Sequence, residues 1–93
     1  RVIGDSMIPT LYERDIVLAI KKRPKQGDIV ISKVGDREVI KRVQNTSPTA
    51  LFLVGDNLTE STDSRSYGEI PITSLLGVVK ITFNKKRPKK FIS

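Results

Sequence analysis

The sequence predicts an all-β domain, a half-barrel built from short antiparallel strands. Two features carry that prediction. The apolar residues fall in β-branched runs of about 4–8 residues, a length and composition typical of strands, and none recurs at helical spacing. The runs are separated by turn residues and by Pro24, Pro48, Pro71 and Pro88, which are expected to lie between strands because proline cannot donate to a sheet ladder.

Each element follows in order. Ile16-Val17-Leu18-Ala19-Ile20 comes directly after Asp15, and Ile29-Val30-Ile31 after Gly27-Asp28. Gly35-Asp36 is a hairpin signal ahead of the Val39–Val43 run. Ala50 to Val54 leads into Gly55-Asp56-Asn57, and Leu76 to Phe83 follows Pro71. Residues 55–69 form one long polar stretch, and a loop of that length in a small domain is characteristically functional or disordered.

Composition narrows the chemistry. The 93 residues suit one small domain, and 38% hydrophobic content is enough for one core. There is no Cys, which excludes disulfides, a thiol nucleophile and Cys-based zinc sites. There is no His, which excludes a Ser-His-Asp triad, His-ligated zinc and a histidine proton shuttle. A hydrolase built from this chain must take its base from Lys, Asp, Glu or Tyr, and no metal or cofactor is expected.

The net charge is +7, but residues 80–93 hold six basic residues and no acid, so the rest is close to neutral. The expected organisation is a core over 1–83 and a basic tail over 84–93. The pentapeptide Lys-Lys-Arg-Pro-Lys occurs at 21–25 and again at 85–89. Its two copies read first as solvated surface, second as contact with an anionic membrane surface through Lys21–Lys25 and Lys85–Lys90, and third as contact with nucleic acid. Five aromatic residues are few for base stacking, so the nucleic-acid reading ranks lower. The chain opens at Arg1 rather than Met, and a preceding segment is expected. No window approaches the roughly 18–20 apolar residues of a membrane span.

One strand is anomalous. Period-two alternation puts Val39, Lys41 and Val43 on one face, with Glu38, Arg42 and Gln44 on the other. Lys41 has two readings: an edge-strand lysine that blocks unwanted pairing, or a lysine held in an apolar setting. Desolvation in such a setting disfavours the ammonium form and equips the amine to accept a proton.

The motifs come as an ordered set. Gly4-Asp5-Ser6-Met7-Ile8-Pro9-Thr10-Leu11 precedes Arg14-Asp15-Ile16-Val17-Leu18. Gly27-Asp28-Ile29-Val30 and Ile40-Lys41-Arg42-Val43 follow. Gly55-Asp56-Asn57 with Ser61, Asp63-Ser64-Arg65 and Gly68 closes the set. Taken alone, Gly4-Asp5-Ser6 reads as an ordinary turn. Gly-x-Ser-x-Gly fails at Ile8, and no Ser has Lys three residues later. Taken together, the blocks resemble the bacterial and organellar signal peptidase I family, from about Val2 to Val79. LexA-like self-cleaving repressors share the first block and the lysine but not the last block.

That resemblance implies a Ser–Lys dyad on the predicted half-barrel. Ser6 would be the nucleophile and Lys41 the general base; an ordinary lysine, with a pKa of ~10.4, would stay protonated at neutral pH. Ser61 would orient the lysine, and Asp63 with Arg65 would form a supporting ion pair. The oxyanion hole would use the Ser6 N–H, with the second donor either a water or the backbone of Gly4, which stands where part of the family carries a serine. Val2, Ile3, Met7, Leu11, Val39 and Ile40 would line a groove for an extended substrate with small residues at −1 and −3, each with core packing as the competing reading.

Thirteen residues separate Lys41 from Gly55, too few for the large β insertion of big signal peptidases. The chain is thus similar to compact members: mitochondrial inner-membrane, conjugation-linked or nickel superoxide dismutase maturation proteases. The implied partners are precursor proteins with N-terminal leader peptides. The implied location is the cell membrane, with the catalytic domain on its extracytoplasmic face if an N-terminal anchor precedes this chain, and the cytoplasm otherwise. The alternatives are a LexA-like self-cleaving regulator domain and a non-enzymatic basic nucleic-acid-binding module.

Overall fold

The computed structural model describes residues 2, 4, 6–57, 59, 63–84 and 87–92, and only the backbone of 87–91. The expected architecture is present. Seven strands form one antiparallel sheet: β1 (Ile16–Ile20), β2 (Ile29–Val34), β3 (Arg37–Thr46), β4 (Ala50–Val54), β5 (Ile70–Pro71), β6 (Leu75–Asn84) and β7 (Arg87–Phe91). The strand order is β1-β6-β2-β3-β4-β5, and β7 pairs with β6 beyond the end of β2. A short helix, α1 (Ser64–Tyr67), and a 3-10 turn (Ile72–Ser74) complete the described elements.

The predicted hairpin is the β2–β3 pair, with Gly35 at φ 61°, a left-handed conformation that glycine adopts without the Cβ penalty. Two prolines differ from expectation. Pro71 ends β5 and Pro88 lies within β7, rather than between strands. β5 is the sheet's outer strand and β7 flanks only the end of β6, so the missing N–H of proline is tolerated in both. The segment read as a tail therefore contributes a strand.

Alternation along each strand feeds two apolar clusters, one on either side of the sheet. Val30, Val43, Leu51, Leu53, Ile70 and Val78 form the first. Val2, Met7, Leu11, Ile29 and Val79 form the second, with Val17, Ile31, Ile40 and Ile92 packed on it. Adjacent residues of one strand, Ile29 and Val30 or Val78 and Val79, thus serve opposite clusters, as the two-residue period dictates. Among the described residues no helix is long and apolar enough to cross a membrane.

Candidate active site

Lys41 lies on β3, between β2 and β4. It is not an edge lysine, and the edge-strand reading falls. Its partner across the ladder is the fully buried Val30 and its next neighbour on the same face is the buried Val43. Lys41 itself is 5% exposed. Burial there takes the amine out of bulk water.

Ser6 is half-buried and opens a tight turn closed by Leu11 N donating to Met7 O at 2.8 Å. Met7 and Leu11 anchor that turn in the second cluster. Ser6 reaches the sheet through the segment after β4. Asn57 N donates to Ser6 O at 2.8 Å, and a Cβ on Gly55 would stand 3.4 Å from the Ser6 Cβ. In the β3–β4 register Arg42, the residue after Lys41, faces Val54, the residue before Gly55. Positions 6, 55 and 57, distant in sequence, meet there.

Two carboxylates hold this junction. Asp63, fully buried, caps α1 and accepts from Gly55 N (2.8 Å), Arg65 N (3.0 Å) and the Arg65 guanidinium at both oxygens (3.0 and 2.6 Å). Burial pushes its pKa up, but the hydrogen bonds and the charge of Arg65 outweigh burial and hold it at about 2. The carboxylate is buried, so this is no ordinary surface salt bridge. Next to it, Ser64 Oγ accepts from Leu53 N at 2.9 Å. These bonds bind the polar stretch back onto β4.

The second carboxylate, Asp56, was not singled out as a site residue from sequence. It accepts Nε and Nη2 of Arg42, each at 2.8 Å, and Thr10 Oγ1 at 2.5 Å. Arg42 Nη1 also donates to Gly27 O at 2.7 Å. Burial works against the Asp56 carboxylate, and the Arg42 and Thr10 bonds more than offset it, leaving its pKa lowered. The cluster ties the Ser6 turn, the lysine strand and the loop after β4 into one unit. Its sequence signal was the placement of Arg42 directly after Lys41 and of Asp56 directly after Gly55.

The remaining expected residues are placed as follows. Val2, Met7 and Leu11 are 3%, 1% and 0% exposed and pack as core. Val39 and Ile40 are half-buried. Gly4 is exposed at φ 82°, and its N–H donates to Glu13 Oε1 at 3.1 Å. Ser61 and Ile3 lie outside the described residues, as do Lys85 and Lys86.

The described residues thus combine an all-β sheet, a serine turn tied to the loop after β4 and a buried lysine on an interior strand, in a chain without histidine. A family model described as Peptidase S24-like matches residues 1–80, and the chain belongs to that family. It is 33% identical to mitochondrial inner membrane protease subunit 1 of Xenopus tropicalis and 36% identical to the proteins of that name in Mus musculus and Homo sapiens. Each alignment covers 80% of this chain and 61% of the relative, so the chain spans less than two thirds of those proteins.

Proposed function

We propose that this chain is the catalytic core of a serine endopeptidase that removes N-terminal leader peptides after small residues of the Ala-x-Ala type. Ser6 Oγ attacks the scissile carbonyl while Lys41 Nζ takes its proton. The tetrahedral intermediate collapses as Lys41 returns that proton to the leaving amine. Water, deprotonated by the same amine, then attacks the acyl carbonyl, and Lys41 returns that proton to Ser6 Oγ as the acid is released. The observation that carries this reading is the burial of Lys41 on an interior strand whose neighbour, β4, leads into Gly55, against which Ser6 packs.

In this reading Ser61 orients Lys41, and Asp63 with Arg65 braces the segment that bears Gly55. The Ser6 N–H serves the oxyanion. For Gly4 to serve as the second donor, its N–H has to leave Glu13. Val39 and Ile40 supply strand-type contacts to an extended substrate. The relatives' names supply the remaining support: a protease of an inner membrane suggests a precursor protein as substrate and a membrane as the place of action.

The test is an internally quenched peptide containing Ala-x-Ala. Ser6→Ala and Lys41→Met should each abolish cleavage, and wild-type activity should climb with pH as Lys41 loses its proton. Turnover by either variant equal to that of the wild type would sink the proposal.

A further inference from the structure

The connection between β1 and β2 carries a cluster of amines that the catalytic reading does not use. β1 and β2 lie on either side of β6 and both run antiparallel to it, so residues 21–28 must cross that strand. The crossing point is fixed, because Ile20, the end of β1, and Val30, near the start of β2, both face Val78. The crossing segment begins Lys21-Lys22-Arg23-Pro24-Lys25. Pro24 is buried and Lys22 half-buried, so the segment packs down rather than standing in solvent. Its far end is tied to β3: Gly27 N donates to Val43 O at 2.9 Å, and Gly27 O accepts Arg42 Nη1 at 2.7 Å.

β6 contributes Lys80. Leu18 faces Ile81 and Ala19 faces Val79, so the β1–β6 register passes over Lys80. An extra residue of this kind bulges the strand and re-aims a side chain, a device found beside functional sites. Lys80 is half-buried, and its main-chain oxygen accepts Ile92 N at 2.8 Å. Partial desolvation, then the charge and hydrogen-bonding amine of Lys22 and the charge of Lys25, lower its pKa, against a weaker opposing pull from Asp28. Asp28 is 3% exposed and already accepts Lys25 N at 3.0 Å.

Three ammonium groups and one carboxylate leave a formal surplus of two positive charges. Like charges held together on a braced backbone repel, and a bound anion relieves them. A phosphate dianion matches the surplus. Its oxygens accept from several amines at once, and lysine binds phosphate as a point charge without the planar fork of arginine. A carboxylate brings a single charge, and so does each phosphodiester of a nucleic acid.

We propose that Lys22, Lys25 and Lys80 form a binding site for a phosphate dianion, either free or as the monoester of a small molecule. The site sits on the β1–β2 crossing, and nothing in it depends on the serine turn. The inference therefore stands apart from the catalytic reading, and a Ser6→Ala chain should bind the same anion.

The experiment follows thermal unfolding of the whole chain by circular dichroism as inorganic phosphate replaces chloride at a constant ionic strength of about 0.1 M. Wild-type Tm should rise and level off, by about 4–8 °C once phosphate reaches about five times its dissociation constant. Lys80→Gln and Lys22→Gln, both outside the two apolar clusters, should fold and lose most of that rise. Phosphate also stabilises proteins by exclusion from their surface, an effect the variants share with the wild type. No wild-type rise, or a rise that both variants reproduce in full, therefore overturns the proposal. Methyl phosphate in place of inorganic phosphate separates the two sources. An equal rise in the wild type, again lost in the variants, assigns a monoester; a smaller one assigns free phosphate; each supports the site.

Discussion

The Cβ that Gly55 lacks would stand 2.8 Å from the carbonyl oxygen of Ser6, closer than any side chain tolerates. Glycine at 55 is therefore what lets the serine turn lie on the sheet next to the lysine strand. The obstructing atom is main chain and cannot swing aside, so any larger residue must move Ser6 itself.

Gly55→Ala should accordingly impair activity far more than folding. We expect at least a tenfold loss of kcat/KM, because misplacement of a reacting group by ~1 Å costs on the order of a hundredfold. Far-ultraviolet circular dichroism should be unchanged. A fully active Gly55→Ala enzyme would show that Ser6 need not occupy its observed position.

The Arg42–Asp56–Thr10 cluster should couple stability to activity. Arg42→Ala leaves a half-buried carboxylate with only Thr10 as a donor among these partners, and we expect a loss of about 1–3 kcal/mol in urea unfolding. Arg42→Lys should not restore it, since an ammonium cannot make the two-pronged contact with both Asp56 oxygens. Thr10→Ser, which keeps the hydroxyl, should be close to wild type.

Asp63 predicts an acid limb of stability. Its folded pKa of about 2 lies below its ordinary 3.8, so its contribution is complete above pH ~4 and disappears as pH falls toward 2. The shift corresponds to about 2 kcal/mol. Asp63→Asn should lose that amount at pH 7, and the gap from wild type should narrow between pH 4 and 2. Denaturant titrations at pH 7, 4 and 2.5 measure it.

Ser64→Ala removes the acceptor of the Leu53 N–H, which is buried in the middle of β4. An orphaned buried amide costs about 1–3 kcal/mol. The same variant should speed hydrogen exchange at Leu53 selectively, whereas a purely global effect would raise exchange across the whole sheet.

Much of the fold was legible because strands announce themselves locally. The run Ala50–Val54 is β4 residue for residue, and Gly35-Asp36 does turn β2 into β3. The proline positions misled at 71 and 88, because a proline's tolerance depends on which strands have an open side, and strand order is a long-range property. The sharp turn at Ser6 was recognisable by its motif. The groove assigned to Met7 and Leu11 was not: a residue that anchors a turn in the core and one that lines a pocket show the same apolar letter.

The sequence by itself determined the strand set, the removal of histidine and cysteine chemistry, and the suspicion attached to Lys41, since alternation alone set it between two valines. Only the tertiary structure decided that Lys41 is interior rather than at an edge, because its burial depends on β2 and β4 arriving on both sides. It also decided the meeting of Ser6 with Gly55, and of Thr10, Arg42 and Asp56. These contacts join residues up to 49 positions apart. No local propensity encodes such a distance; it is set when the two clusters pack and the antiparallel register locks.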